Sequence, residues 1–464
     1  MAGLRQLALR GGIAMAVRQL VGMALSFAGL VALARLIGPT HYGTYVAALA
    51  VHSWLALVCQ WGGDVFLVRK PDEPTPDDAH LAFGLNLVVG GLVALLALPL
   101  GSLAGAWIGI AGIDLAITAL LGVMPLQLAA QVPLALLQRR MDYRRLAWAE
   151  LSGHAALYAV AIPAAWADWG LAAPLAGWWA QQVVTASLAF RFARYRPRLL
   201  RRRPEGARPM LVFGLGYSAS VWLWHLRLLL NPLVVARLLG PEAAAGVAVA
   251  IRLAEALSFM RVVIWRVSLA ALGRLGGDHA RIARGVAEGM RLEALAIGPP
   301  MAAFALLAPW LVPFALGRDW SGAATVFPWL GLAYLVNGVF SLQSSALYAL
   351  GRNVEVAAFH ALHVAMLFIA ALLLIPHFGL MGVGLAEACA LASYWLLNGS
   401  TQRILGGFPV GIALVWAAAF ALPLFSGELG AWTWAGPVVV VMLPGTRRAL
   451  SGWRSQIQSI FSVD

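Results

Sequence analysis

The chain is written in long apolar runs separated by short polar ones. Stretches of about 17–25 residues, bounded by charges or by Gly and Pro clusters, recur along its whole length, and each is long enough to cross a ~30 Å hydrocarbon core as a helix. They predict fourteen spans, at about 13–37, 43–67, 81–107, 113–138, 147–167, 170–190, 210–236, 242–264, 292–316, 325–350, 354–376, 380–402, 405–426 and 430–443. No ~10-residue segments of alternating polarity interrupt this pattern, which excludes an outer-membrane barrel and leaves helices as the spanning element. The expected fold class is all-α integral membrane, with about fourteen transmembrane helices. Arg5 and Arg10 precede an apolar stretch, as in a secretory signal, but Arg18 interrupts that stretch and the apolar character runs on to Ile37, which predicts a first membrane helix.

Composition agrees with the pattern. Charged residues make up 11% of the chain, against ~25% in soluble domains, and the mean hydropathy is +0.80. The net charge of +13 comes from 33 basic and 20 acidic residues, and Lys70 is the sole lysine. In a soluble protein this excess would point to nucleic acid; in a polytopic one it predicts basic inner loops and no nucleic-acid partner. With the N-terminus in the cytoplasm, 25 of the 33 basic residues fall in or beside inner segments, and Arg35, Arg237 and Arg318 fall outside. Both termini are therefore expected on the cytoplasmic side. External connections such as 107–113 and 168–170 are too short to hold a catalytic domain. Cys59 and Cys389 lie in apolar runs without metal-ligand spacing, and no residue pattern asks for a cofactor.

The longest inner linker, 191–209, carries eight Arg and three Pro and separates six spans from the rest. It predicts an N-terminal six-helix lobe over 1–205, a C-terminal six-helix lobe over 206–404, and two accessory helices with a cytoplasmic tail over 405–464. The linker itself reads either as an ordinary positive-inside loop or as a docking segment for anionic membrane lipids.

An internal repeat supports the two lobes. Ala-Arg-Leu-Ile-Gly-Pro at 34–39 returns as Ala-Arg-Leu-Leu-Gly-Pro at 236–241, each copy closing the first span of a lobe and each followed by a Gly, Gly43 or Gly246. Gly tolerates a left-handed cap and Pro cannot continue a helix, so the motif is a physical stop signal. Repeated halves around a central site are a common construction of secondary transporters.

The opening pattern LARLIGPTHYGTYVAALA, with WGGDVFLVRK closing the second span, and the second copy NPLVVARLLGPEAAAGVAVAIRLAE resemble the polysaccharide biosynthesis or oligosaccharide flippase proteins. These are Wzx-like members of the superfamily that also holds the multidrug and toxin extrusion (MATE) exporters and the peptidoglycan-precursor flippase. At the place where such proteins often carry Asp-Arg, this chain has Asn231 and Pro232. The resemblance implies a MATE-like fold in a bacterial inner membrane and alternating access between lobes. It also implies a polyprenyl-diphosphate-linked oligosaccharide, a precursor of surface polysaccharide or lipopolysaccharide, as substrate, with glycan polymerase or glycosyltransferases of the same pathway as partners.

Within the spans the informative residues are charges at depth, which are costly in hydrocarbon and face a cavity or a partner. Arg18, Arg227 and Arg252 are the candidates for a cationic cavity, because guanidinium forks match a diphosphate and repel a hydrophobic cation. Other readings stay open: snorkelling for Arg18, a hydrogen-bonded structural role for Arg227, and for Arg252 an intrahelical ion pair with Glu255 at i+3. Glu255 and Glu387 are the candidates for ion coupling. Spacing of Arg281, Arg284, Glu288 and Arg291 predicts an interfacial amphipathic helix over 273–291. His360 and His363 lie at i and i+3 without a third ligand, so no metal site is expected, and with neither a Walker loop nor an H-E-x-x-H motif the chain is expected not to be an enzyme. Two rival readings remain: a cation-coupled multidrug exporter of the same fold, and a membrane-embedded polymerase or ligase, which would need catalytic acids or a large external loop.

Overall fold

The computed structural model describes residues 2–70, 73–198, 222–261 and 278–444, with 264, 268, 272, 446 and 447; the side chains of 2–20 and of Arg69 are excepted. Every regular element among them is helical. Eight of the described helices are long and apolar enough to cross a membrane, and two shorter apolar helices, Ala97–Ile108 and Ala431–Met442, accompany them. Tyr143–Trp166 and Ala172–Ala193 also have spanning length, 24 and 22 residues, but their hydropathy is lowered by polar side chains near mid-length. The protein is a multi-pass, all-α membrane protein. The sequence-predicted boundary at 205 and the linker from 199 onward lie outside the described residues.

The chain forms two compact units. One comprises Met1–Ala248 and Ala315–Trp320, the other Val249–Phe314 and Ser321–Asp464, so the division falls within the helix Pro241–Leu257.

In the first unit, Tyr143–Trp166 packs along Ala172–Ala193 through small residues. A Cβ on Gly177 would come within 2.6 Å of the Leu157 carbonyl oxygen, and Gly153 sits directly against the Thr185 hydroxyl. Such contacts let backbones approach where no hydrophobic force drives helices together in lipid. The Ile113–Gly122 and Met124–Arg139 helices form the interior, with Leu120, Leu121, Met124 and Leu128 wholly buried. One end of the unit is tied by polar contacts. Arg139 donates to the carbonyls of Val68 (2.8 Å) and Lys70 (2.5 Å), and Lys70 pairs with Asp78 at 2.6 Å. Asp78 and Thr75 cap the Pro76–Leu95 helix reciprocally. Burial pushes the Tyr195 hydroxyl well above its ordinary range, so it stays protonated and donates to the Ala79 carbonyl at 3.2 Å.

Both copies of the repeat make the same corner. The long helical segment Ala2–Cys59 breaks at Gly38 (φ 76°, ψ 169°), and the Ala236–Leu239 turn ends at Gly240 (φ 88°, ψ 177°). Pro39 and Pro241 open the helices that follow, where a missing N–H costs nothing. Ala34 and Ala236 are both buried, while Arg35 and Arg237 are both exposed. The corners touch each other: Thr40 Oγ1 donates to Glu242 Oε1 at 2.6 Å, and Gly43 lies so close to the Pro241 carbonyl that a Cβ has no room. Arg237 stacks on the Trp107 ring at 4.2 Å and donates to the Trp107 carbonyl.

In the second unit Ser321–Ala349 is buried along most of its length and packs against Leu380–Ala390, Tyr394–Leu405 and Gly411–Ala421. The amphipathic stretch expected over 273–291 differs from prediction: from His279 it is the start of one 38-residue helix, His279–Leu316, that continues as the ninth span. Nothing between Arg291 and Ile297 stops a helix. Pro299 and Pro300 come later, inside the span, where membrane helices tolerate proline.

Candidate functional site

The five sequence-predicted site residues fall in different places. Arg18 is helical, but its side chain lies outside the described residues. Arg227 belongs to the first unit and sits on a 3-10 turn, Leu226–Leu229, which runs into a π-helical turn, Asn231–Val235. Pro232 supplies no N–H to a regular ladder, and Asn231, buried, donates its amide to the Ala244 carbonyl at 3.1 Å. This irregular stretch turns the Arg227 guanidinium over the Trp224 ring at 5.0 Å. Arg252, Glu255 and Glu387 belong to the second unit. Arg252 and Glu255 come together as an i,i+3 ion pair at 3.1 Å, with side chains 61% and 43% exposed. Glu387 is buried in the Leu380–Ala390 helix.

Around Glu255 the second unit builds a polar chain that joins Pro241–Leu257 and Arg261 to Ser321–Ala349 and Tyr394–Leu405. Tyr334 donates its hydroxyl to Glu255 Oε1 at 3.4 Å, and its ring lies under Arg261 at 5.8 Å. Arg261 donates to Asn337 Oδ1 at 2.5 Å, and Asn337 donates onward to the Tyr394 hydroxyl at 2.7 Å. One turn further along, Gln343 donates to Asn398 at 2.9 Å. Beside this chain stands Glu293, 0% exposed, whose carboxylate oxygens make no aligned hydrogen bond; Arg261 supplies the opposing charge and Ser341 faces it. Gly338 makes the room, because the place its Cβ would occupy is bordered by Ile297, Glu293 and Arg261. His363 bonds to the Ser393 hydroxyl at 2.9 Å and packs edge-on against Tyr394.

Glu293 is not among the residues the sequence singles out, since it stands at the edge of the span expected over 292–316. A signal was present. Met290, Ala294, Ile297 and Met301 form a wholly buried stripe at helical spacing, and Glu293 falls on it. Asp64, expected within the second span, lies instead on the short helix Gly63–Arg69 after that span ends at Cys59, and burial pushes its carboxyl up.

Chemically, the second unit gathers guanidinium, carboxylate, amide and phenol groups in one place, able to bind an anion. The comparisons with known proteins agree with a carrier. The relative from Rhizobium meliloti (strain 1021), the succinoglycan biosynthesis transport protein ExoT, is 26% identical over 322 residues, 68% of this chain; the chain spans 63% of the length of that relative. Among solved structures, the lipid II flippase MurJ in an inward closed conformation matches 97% of this chain and 99% of its own, with TM-score 0.68 at 12% identity. An inward-facing multidrug resistance MATE family transporter of the MOP superfamily matches 84% of this chain and 98% of its own, with TM-score 0.66 at 16% identity. At these identities the likeness shows the fold, which is that of membrane transporters. The family model for polysaccharide biosynthesis protein matches residues 32–325, most of the chain, and the protein belongs to that family.

Proposed function

We propose that this protein carries a polyprenyl-diphosphate-linked oligosaccharide across a bacterial cytoplasmic membrane by alternating access. The reading is carried by one pairing: membership of the polysaccharide biosynthesis family together with a flippase fold. The relative's name, a succinoglycan biosynthesis transport protein, supports a glycan as cargo. In this reading the lobes 1–205 and 206–404 rock about the substrate, 405–464 is accessory, and both termini face the cytoplasm. Arg227 and Arg252, with Arg18, hold the diphosphate, since a planar fork pairs with two phosphate oxygens at once. Glu255 and Glu387 couple ion movement to the cycle. Glycan polymerase and glycosyltransferases act before and after it, and the protein itself makes and breaks no bond.

A sugar head cannot cross hydrocarbon unaided, because its hydroxyls lose water without gaining partners. Deletion cells should therefore hold the lipid-linked repeat unit at the inner leaflet and lose bulk surface glycan. Leaflet-specific labelling checks this. Normal external display of the unit refutes the reading, and drug sensitivity with unchanged glycan favours the multidrug exporter that the MATE-like fold also accommodates.

A further inference from the structure

Three membrane helices of the first unit line an open-sided cavity of about 200 Å³ with a polar wall. Gln127 and Gln131 come from Met124–Arg139, Glu150 and His154 from Tyr143–Trp166, and Gln181 and Thr185 from Ala172–Ala193. Each pair is spaced i,i+4, so every helix turns two polar side chains to one side. Gln182, 9% exposed, stands with them. The lowered hydropathy of two of these helices is thus concentrated at one place.

Part of this wall is unsatisfied. Gln127 Oε1 and Gln181 Oε1 are buried without an aligned hydrogen bond. Behind Gln127 lies His52, 1% exposed, with neither ring nitrogen in an aligned hydrogen bond, its ring edge-on to Trp178 at 5.4 Å. The His154 Nδ1–H is committed to the Glu150 carbonyl at 3.0 Å, which leaves Nε2 as the ring nitrogen available to an occupant. Buried polar atoms without partners are costly, and an occupant with several hydroxyls would satisfy them.

The chemistry of the wall selects among occupants. No Arg or Lys is among the described lining residues, so a phosphate gains nothing here. A water needs only ~10–15 Å³ of such volume, so the space exceeds what a single ion requires. The unpartnered amide atoms of this wall are oxygen acceptors, which the hydroxyl donors of a sugar would satisfy, and the amides and imidazole around them both donate and accept, as sugar hydroxyls do. We infer that this cavity binds one neutral sugar residue of the transported glycan. The inference rests on the reading of the protein as a carrier of lipid-linked oligosaccharide, and it assigns the glycan end of that molecule a site apart from the guanidinium groups.

The test is saturation-transfer NMR on the full chain in lipid nanodiscs, with glucose, galactose, rhamnose and N-acetylglucosamine as probes. Saturable transfer to at least one sugar is expected. Its affinity should fall about tenfold or more in Gln127→Leu and in Gln181→Leu, each of which removes one amide. Gln181→Glu keeps the side-chain outline and replaces the amide donor with a carboxyl group; melting curves select folded variants, and this one should also weaken binding. Absence of transfer to every sugar, or equal affinity in the folded variants, overturns the inference. So does a sodium-dependent rise in melting temperature that Gln181→Leu abolishes while no sugar binds, which would make the cavity a cation site. Leaflet labelling separates the two proposals: wild-type display of the lipid-linked unit by Gln127→Leu and Gln181→Leu cells refutes the sugar site alone, and wild-type display by deletion cells refutes the transport reading.

Discussion

Glu293 and Arg261 illustrate how a single buried charge constrains the residues around it. Glu293 is wholly buried and makes no aligned hydrogen bond, and the Arg261 guanidinium is the opposite charge that offsets part of the cost of burying its carboxyl. Removing one of two opposite charges held away from solvent is more costly than removing both. Arg261→Met should therefore lower the melting temperature of the purified protein sharply, Glu293→Gln much less, and the double change Arg261→Met with Glu293→Met should recover part of the loss. Additive losses would mean that the two side chains do not act on each other. Arg252 is the contrasting case. Its pair with Glu255 is largely exposed, and pairs of that kind contribute about 1 kcal/mol or less. Arg252→Ala should leave the melting temperature almost unchanged, and in combination with Arg227→Ala it should abolish complementation of surface glycan. Full complementation by the double variant leaves both arginines with structural roles only. Arg252 and Glu255 were legible in the sequence because both stand in an apolar run. Glu293 was not, because it stands at the edge of one, and depth is assigned by the helix's neighbours rather than by the run.

The corner at each repeat copy is the element most plainly written in the chain, since Leu-Gly-Pro states both the stop and the restart. Gly38 and Gly240 occupy φ near +80° with extended ψ, a region nearly closed to residues with a Cβ. No atom lies within 4 Å of where a Gly38 Cβ would sit, so its substitution tests backbone strain alone. Gly38→Ala should cost about 1–3 kcal/mol, and Pro39→Ala, which only restores an N–H in the first turn, should cost far less. Thermal unfolding of the two variants checks this, and equal losses would contradict it. Helix ends elsewhere were harder to read. The run over 43–67 stops as a long helix at Cys59, and the run over 380–402 is divided by a 3-10 turn at Leu391–Ser393. Neither break carries a Gly-Pro pair: the first is marked by Gly62 in the left-handed region (φ 83°), and the second has no such marker, so tertiary packing, which periodicity does not report, sets it. The polar wall of the sugar cavity was invisible for a related reason: each helix contributes two residues a turn apart, and only packing brings the three pairs together.

At the scale of the whole molecule, apolar runs and the uneven placement of arginine predict a topology as well as a fold. Fusions of a cytoplasm-active reporter after Arg201 and after Arg447 should both be active; an external signal at either site would overturn the proposed lobe boundaries. The corner contact carries a further consequence. Thr40 and Glu242 are 202 residues apart, the same offset that relates the two copies of the motif, so each residue touches its own counterpart. A contact of this kind is the single-chain equivalent of an isologous interface, where a residue on the axis must be compatible with itself. Two carboxylates there would repel, and a threonine accepts either a hydroxyl or a carboxylate opposite. The present pair is thus a broken symmetry: one copy was free to become acidic only while the other stayed neutral. An exchange that places Thr at both positions should keep the corner closed, and one that places Glu at both should force it apart at neutral pH, with the difference disappearing as the carboxylates are protonated. Cross-linking between cysteines introduced at the two positions is no substitute for this comparison, because it tests proximity and not compatibility; melting curves of the two exchanges against pH do.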